Sequence, residues 1–323
     1  MKKILTFQFA LFLSLMSVYS YAWDFQLQNS DGVKISYSYI NNNTEVEVSS
    51  SDRDYEGDLI IPEYVTYNGN NYKVTTIGNY AFSGYNIKSV TIPNSVIIIG
   101  VSAFSGCSNL TSATLGDGLT QIGGWAFELC EKLSTINIPE GLTFIGTHSF
   151  DECTSLTRIV IPDGVTSIER DVFSGCKNLT DVVIGNGVKQ IKQNAFNKCS
   201  NLTNLTIGSS VEYIEMWAFN MCKKLTTITC LPTVPPICDN YAFLSANNNE
   251  CYVYVPVGTV DAYKQATEWN NFKHIQEIGS SSAISVKVLG QHRVFEYYSI
   301  EGISTTKPKS GIYISKGKKI VAK

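Results

Sequence analysis

Three histidines in 323 residues, His148, His274 and His292, leave little for imidazole chemistry to work with. None neighbours a Gly-x-Ser-x-Gly elbow, a spaced pair of metal-ligating side chains or a glycine-rich phosphate loop, so no catalytic constellation is legible. Charge is sparse as well: Asp, Glu, Lys and Arg together make 16% of the chain, with a formal balance of −3. The scattered carboxylates Asp117, Glu140 and Asp163 fall in turns, where solvated charge is the default. Nine cysteines are present, yet none forms a Cys-x-x-Cys pair, which excludes the usual zinc spacing. No helical stripe of apolar residues runs through the chain. Past the first eighteen residues no stretch is apolar enough to span a bilayer. The sequence therefore predicts a chain that is not an enzyme, with no metal, no cofactor and no membrane span.

What the chain does have is a period. Phe82, Phe104, Phe127, Phe150, Phe173, Phe196, Phe219 and Phe243 recur at gaps of 22, then 23 five times, then 24. Cys107, Cys130, Cys153, Cys176, Cys199 and Cys222 each follow a phenylalanine by three residues. Self-similarity at this length signals stacked supersecondary units that bury a core only against their neighbours. Within one unit, Leu133, Ile136 and Ile138 give Leu-x-x-Ile-x-Ile, whose closing alternation is a strand with every second residue inward. Pro139-Glu140-Gly141 follows as a turn, because proline presets φ and glycine accepts positive φ. Leu142, Ile145 and Phe150 complete the inward set. The second half of each unit should be a short strand or a 3₁₀ turn.

The full pattern, Cys-x-x-Leu-x-x-Ile-x-Ile-Pro-x-x-Val-x-x-Ile-Gly-x-x-Ala-Phe, resembles the leucine-rich repeats of BspA-like bacterial surface proteins. The flanks are similar to that family's caps: Asp58–Pro62 with Val65–Gly69 on one side, Tyr252–Gly258 with Ala262-Tyr263 and Trp269–Phe272 on the other. One departure stands out. Gly118, Gly141, Gly164, Gly187 and Ser210 occupy the place of the usual Asn or Cys, so an asparagine ladder is absent. The expected architecture is mainly β: a right-handed leucine-rich-repeat solenoid of about eight coils, capped at both ends, with a small C-terminal β-module. Its expected divisions are a signal peptide over 1–22, an N-terminal cap over 23–73, repeats over 74–243, a second cap over 244–279 and the module over 280–323.

Lys2-Lys3, the apolar run Ile4–Val18 and the small residues of Ser20-Tyr21-Ala22 read as a cleaved leader. The tail carries eight Lys or Arg against Glu296 and Glu301, while the body is acidic, which argues against nucleic-acid binding. Short alternating segments at Ile284–Leu289, Val294–Ser299, Gly311–Ser315 and Lys319–Ala322 look like the C-terminal module of exported Bacteroidetes proteins. That resemblance implies passage across the outer membrane and a secreted or surface-displayed address.

Stacked coils set equivalent cysteines about 4.8 Å apart with parallel Cα–Cβ bonds, whereas a disulfide needs Cβ atoms at about 3.8 Å and a twisted dihedral. The six in-register cysteines are accordingly read as small buried hydrophobes. Cys230, equivalent to Ile207, joins them. Cys238 and Cys251 flank an irregular loop outside the ladder and are a candidate disulfide.

Two surfaces compete as binding sites. The residue immediately before each phenylalanine is small, and the one before that reads Tyr80, Ser102, Trp125, His148, Asp171, Asn194, Trp217 and Tyr241. Tyr80, Trp125, His148, Trp217 and Tyr241 thus form an expected outward row of contact anchors or sugar platforms. Packing against neighbouring turns is the competing explanation. The second surface is the outward face of the first strands, rich in Thr and Ser: Thr111, Thr114, Thr135, Asn137, Arg158, Asp181, Asn204 and Thr206. There, β-propensity alone accounts for the composition. The family resemblance implies adhesion to a protein or glycan ligand on host matrix or other cells. The ligand and the oligomeric state stay open.

Overall fold

The computed structural model describes residues 23–50 and 55–279, together with two strands near the C-terminus, Gly311–Ser315 and Lys318–Ala322. The leader and the segments Ile284–Leu289 and Val294–Ser299 lie outside the described residues. The chain winds into a β-solenoid of about nine turns, eight of them centred on the repeated phenylalanines and numbered here as coils 1 to 8 in order. Each coil contributes a first-face strand, a turn, a short second-face strand and a second turn that carries the phenylalanine. Coils 5 to 8 show the plan at its most regular. Their first strands Arg158–Ile161, Asp181–Ile184, Asn204–Ile207 and Thr227–Cys230 pair in parallel, and their second strands Ser167–Ile168, Gln190–Ile191, Tyr213–Ile214 and Ile237–Cys238 do the same.

The inward rows follow the sequence. The eight phenylalanines are fully buried and stack face to face, with centroids 5.2–5.4 Å apart and planes within 16°. Such offset pairs add to plain area burial. Both ends of this column are closed by other rings. Tyr55 meets Phe82 edge-on at 5.0 Å, while Trp269 and Phe272 cover Phe243 at 5.3 and 5.2 Å. Trp269 is held by a bond from its indole N–H to the Pro236 carbonyl, and Tyr263 beside it donates to the Pro232 carbonyl. A solenoid end would otherwise expose a whole cross-section of apolar core, so these anchored rings are what makes the array finite.

At the N-terminal end, Phe25–Gln28, Lys34–Ile40 and Glu45–Ser49 form an antiparallel sheet that joins the strand Asn70–Ile77 of coil 1. That strand also closes a hairpin with Tyr64–Tyr67 through Asn68 and Gly69, both at positive φ, as the tight hairpin turn requires. Phe25, Tyr39, Tyr67 and Tyr72 pack together beneath it. Glu56–Ile60 pairs in parallel with Asn86–Thr91 and so acts as the first rung of the first face. At the other end Tyr252–Val255 adds a further rung, followed by the helix Val260–Gln265, the 3₁₀ turn Trp269–Asn271 and the edge strand His274–Glu277. Gly311–Ser315 and Lys318–Ala322 form an antiparallel hairpin.

The cysteines are all free and buried. Each in-register thiol donates to the phenylalanine carbonyl of the coil before: Cys107 to Phe82, Cys130 to Phe104, and so on to Cys222 and Phe196, at 3.0–3.4 Å. Cys230 sits in register with Ile207 and is fully buried, as its strand position predicts. The expected bridge between Cys238 and Cys251 does not form. Cys238 ends a second-face strand and donates to the Pro236 carbonyl, whereas Cys251 leads into the first-face strand Tyr252–Val255. Cys238 belongs to the second face of coil 8, and Cys251 to the first-face rung that follows it.

Candidate functional site

The turn that carries each phenylalanine forces an unusual backbone. Tyr80, Ser102, Trp125, His148, Asp171, Asn194, Trp217 and Tyr241 all have φ between 53° and 69°. Side chains resist this left-handed region, at a cost of about 1–2 kcal/mol per residue, and glycine relieves it. The same turn holds a second left-handed position four residues later, at Gly84, Gly106, Leu129, Glu152, Gly175, Lys198, Met221 and Ser245. There glycine appears in three coils of eight. In the aromatic row it appears in none. The two positions share one conformational demand but differ in composition.

Exposure within the row is uneven. Tyr80 is 56% exposed, Tyr241 53% and Trp125 38%, while His148, Asn194 and Trp217 are half-buried. Ser102 and Asp171 are buried, so the row does not face outward throughout. Stacking brings neighbours together at its middle. The Trp125 indole lies on the His148 imidazole with centroids 5.6 Å apart and planes 7° from parallel. His148 Nδ1 meets the Asp151 carboxylate at 3.0 Å, and its Nε2 lies 3.6 Å from Asp171. Arg170 Nε donates to Asp171 at 3.0 Å. Burial holds the Asp151 carboxyl above the ordinary carboxylate range, against the opposing pull of its bond to His148. The result is a half-exposed aromatic plate, pinned at its inner ring by two carboxylates. Asp151 lies three residues after His148 in the same turn, whereas Asp171 reaches His148 only because coil 5 stacks on coil 4.

The Thr-rich face proves largely occupied with holding coils together. The hydroxyls of Thr111, Ser134, Thr180, Thr203 and Thr226 each donate to a backbone carbonyl of the preceding coil at 2.9–3.2 Å. Asn204 donates to Asp181 at 2.8 Å, and Asp181 accepts from Thr180 at 2.7 Å. Asn137 bonds both the N–H and the carbonyl of Leu115, at 2.7 and 2.8 Å. Thr114 and Thr135 are exposed, Thr206 and Arg158 half-buried. Part of this face thus also serves as a structural ladder between coils, while Thr114 and Thr135 stay exposed on it. His274 stacks on Tyr252 at 4.6 Å within the cap, away from the row.

Among the described residues no group of three or more His, Cys, Asp or Glu side chains could hold a metal ion, and no helix is long and apolar enough to cross a membrane.

The sequence pattern described as BspA type Leucine rich repeat region, in six copies, matches residues 75–203, 143–271 and 189–308. No curated protein matches the chain. A leucine-rich cell surface protein from Faecalibacterium prausnitzii is similar in structure, at 23% identity over 78% of this chain and 72% of that one, with a TM-score of 0.58. A leucine-rich repeat protein of T. pallidum is 20% identical over 72% of this chain and 93% of its own, with a TM-score of 0.46. One from Bacteroides ovatus is 20% identical over 79% of this chain and all of its own, with a TM-score of 0.31. With the matched repeats spanning most of the chain and the solenoid built as that pattern demands, this protein belongs to the BspA-type leucine-rich repeat family.

Proposed function

We propose that this protein is an exported, non-catalytic binding module whose aromatic turn row engages a macromolecule outside the cell. The observation that carries this reading is the left-handed row itself. Eight successive coils keep side chains where glycine would relieve strain, and five of the eight are Trp, Tyr or His. Rigid aromatic side chains supply contact area at low conformational cost, which is why they anchor interfaces. Membership of a repeat family supports it further, because stacked repeats produce extended surfaces rather than enclosed pockets. The basic tail and the apolar leader support export. The ligand in this reading is a protein on host matrix or on another cell.

A glycan is the second reading, and one observation favours it: the parallel stack of Trp125 on His148, flanked by carboxylates, has the shape of a sugar platform. The test is direct. Residues 23–323 are exposed to matrix proteins and to a glycan array, and bound ligands are then measured against the double variant Trp125→Ala, Trp217→Ala. Capture should weaken at least ~30-fold, the loss expected when two anchors are removed. Undiminished capture by the variant would move the site off the row.

A further inference from the structure

The solenoid is not uniform along its length. On the first face the sheet of coils 1 to 4 ends at Thr135–Ile136, and a separate sheet starts at Arg158–Ile161. On the second face one sheet ends at Phe144–Ile145 and another starts at Ser167–Ile168. Both interruptions fall between the same two coils, 4 and 5. The amides that should bridge them are identifiable from their neighbours one period on. Thr180, Lys189 and Lys192 donate to Thr157, Thr166 and Ile168 of coil 5, at 2.8–2.9 Å. The equivalent amides of Thr157, Thr166 and Glu169 donate to no carbonyl of coil 4. Buried polar atoms without partners lie in both strands that open the second block: Arg158 Nη2 and Ser167 Oγ.

Two sequence changes account for the seam. Just after the second strand, coils 1 to 4 carry Gly78, Gly100, Gly123 and Gly146, whereas coils 5 to 8 carry Glu169, Lys192, Glu215 and Asp239. The glycine coils approach so closely that a methyl group on Gly123 would lie 2.6 Å from the Gly100 carbonyl carbon, and one on Gly146 2.7 Å from that of Gly123. Glu169 has a Cβ and cannot stack on Gly146 in that way. The charged coils stack well on each other, with Lys192 bonded to Glu169 at 2.7 Å. On the first face Asn137 inserts its side chain into the ladder at Leu115 in place of its own backbone, which leaves Ile136 and Ile138 only partly buried. The turn between the faces shifts too. Gly118 and Gly187 lie against the carbonyls of Asn94 and Asp163, but Gly164 lies against Leu142 rather than Glu140.

The phenylalanine edge, by contrast, runs through unbroken. Phe150 stacks on Phe173 at 5.3 Å, Cys176 donates to the Phe150 carbonyl, and the amides of His148, Phe150 and Glu152 donate to Arg170, Val172 and Ser174. Side chains cross there as well: Thr147 Oγ1 to the Arg170 carbonyl at 2.7 Å, Lys177 to Glu152 at 2.9 Å, and His148 toward Asp171.

We propose that coils 1–4 and coils 5–8 are two rigid blocks joined by a hinge along the phenylalanine edge, with both β faces free to part at the seam. The block boundary is set by the change from glycine to charged residues and by the Asn137 wedge. The hinge lies under the plate of Trp125 and His148, so Trp125 and Asp171 belong to different blocks.

Hydrogen exchange of the whole chain, read by mass spectrometry or NMR, tests this. The amides of Thr157, Thr166 and Glu169 should exchange at least about tenfold faster than those of Thr180, Lys189 and Lys192, as local opening of a weak joint demands. The amides of Phe150 and Glu152 should stay as protected as those of Phe173 and Gly175. Equal exchange at the seam and inside the second block overturns the proposal, as does equally fast exchange along the phenylalanine edge. A second arm uses Asn137→Thr, which matches Thr114 of coil 3 and removes the wedge. It should slow exchange at Thr157 while leaving Thr180 unchanged. Unaltered exchange at Thr157 in the folded variant removes Asn137 from the explanation.

Discussion

The thiol of Cys176 donates to the carbonyl of Phe150, one coil earlier, at 3.2 Å. That carbonyl already accepts from the amide of Cys153 in its own coil, so both of its lone pairs are used inside a dry core. The relationship recurs six times and ties the cysteine ladder to the phenylalanine column. It explains why a weak donor of small volume is repeated here. An alanine would leave the carbonyl one bond short, and a larger aliphatic residue would have to displace the stacked rings.

Replacing Phe150 with alanine removes a fully buried ring from the middle of that column and, through the hinge, weakens the link between both halves. The expected cost is about 3–5 kcal/mol, the range for emptying an aromatic site in a packed core. Chemical denaturation should show a lower midpoint. An unchanged midpoint would mean that the column contributes little.

Thiol chemistry gives a sharper check on the interior. Burial pushes the Cys107 thiol up to about 12, and holds the other ladder thiols further from ionisation still. The thiolate is the reactive form, so native protein at pH 8 should react with a thiol reagent very slowly. Denatured, unreduced protein should release nine reactive groups, because Cys238 and Cys251 are also free. Seven would reveal a bridge between those two.

The strained row predicts a difference between two truncations of one residue. Trp125 has φ of 56°, so Trp125→Gly should be more stable than Trp125→Ala by about 1 kcal/mol, because glycine accepts that conformation. Both variants should lose ligand capture alike. Thermal unfolding of the pair, read beside binding, separates the backbone demand from the side chain's role. Equal stabilities would show that the turn relaxes when the indole is removed.

Asp151 offers a pH dependence with a definite sign. Its carboxyl titrates above the ordinary range in the folded chain, so the fold binds this proton more tightly than the unfolded chain does. Its ionisation therefore costs stability as pH rises from the unfolded value through the folded one, and above that the cost is constant. Asp151→Asn abolishes the titration and keeps an acceptor for His148. The melting temperature of this variant relative to the parent should rise between pH 3 and pH 7. A flat difference would place the carboxyl in an environment no different from water.

Much of this molecule could be read without coordinates because a solenoid is nearly one-dimensional. A 23-residue period fixes which residues stack, and the inward rows of Leu, Ile and Phe follow from alternation within each coil. The resemblance to BspA-type repeats rests on the same short-range pattern, and so does the C-terminal cap at Trp269 and Phe272, whereas Tyr55 as the ring closing the other end came only with the structure. The outward Thr-rich face was legible as composition, but its hydroxyls turned out to be bonded to the coil before. What the sequence could not convey depends on approach distances between coils. Gly146 and Glu169 were visible as a substitution within a pattern. Only the closeness of the stacked backbones, where a methyl group on Gly146 would lie 2.7 Å from the Gly123 carbonyl carbon, gives the reason for placing the proposed block boundary there. The left-handed backbone of Trp125 and His148, and the carboxylates that pin their plate, likewise arise from the path of the turn, which tertiary stacking imposes on side chains that would not choose it alone.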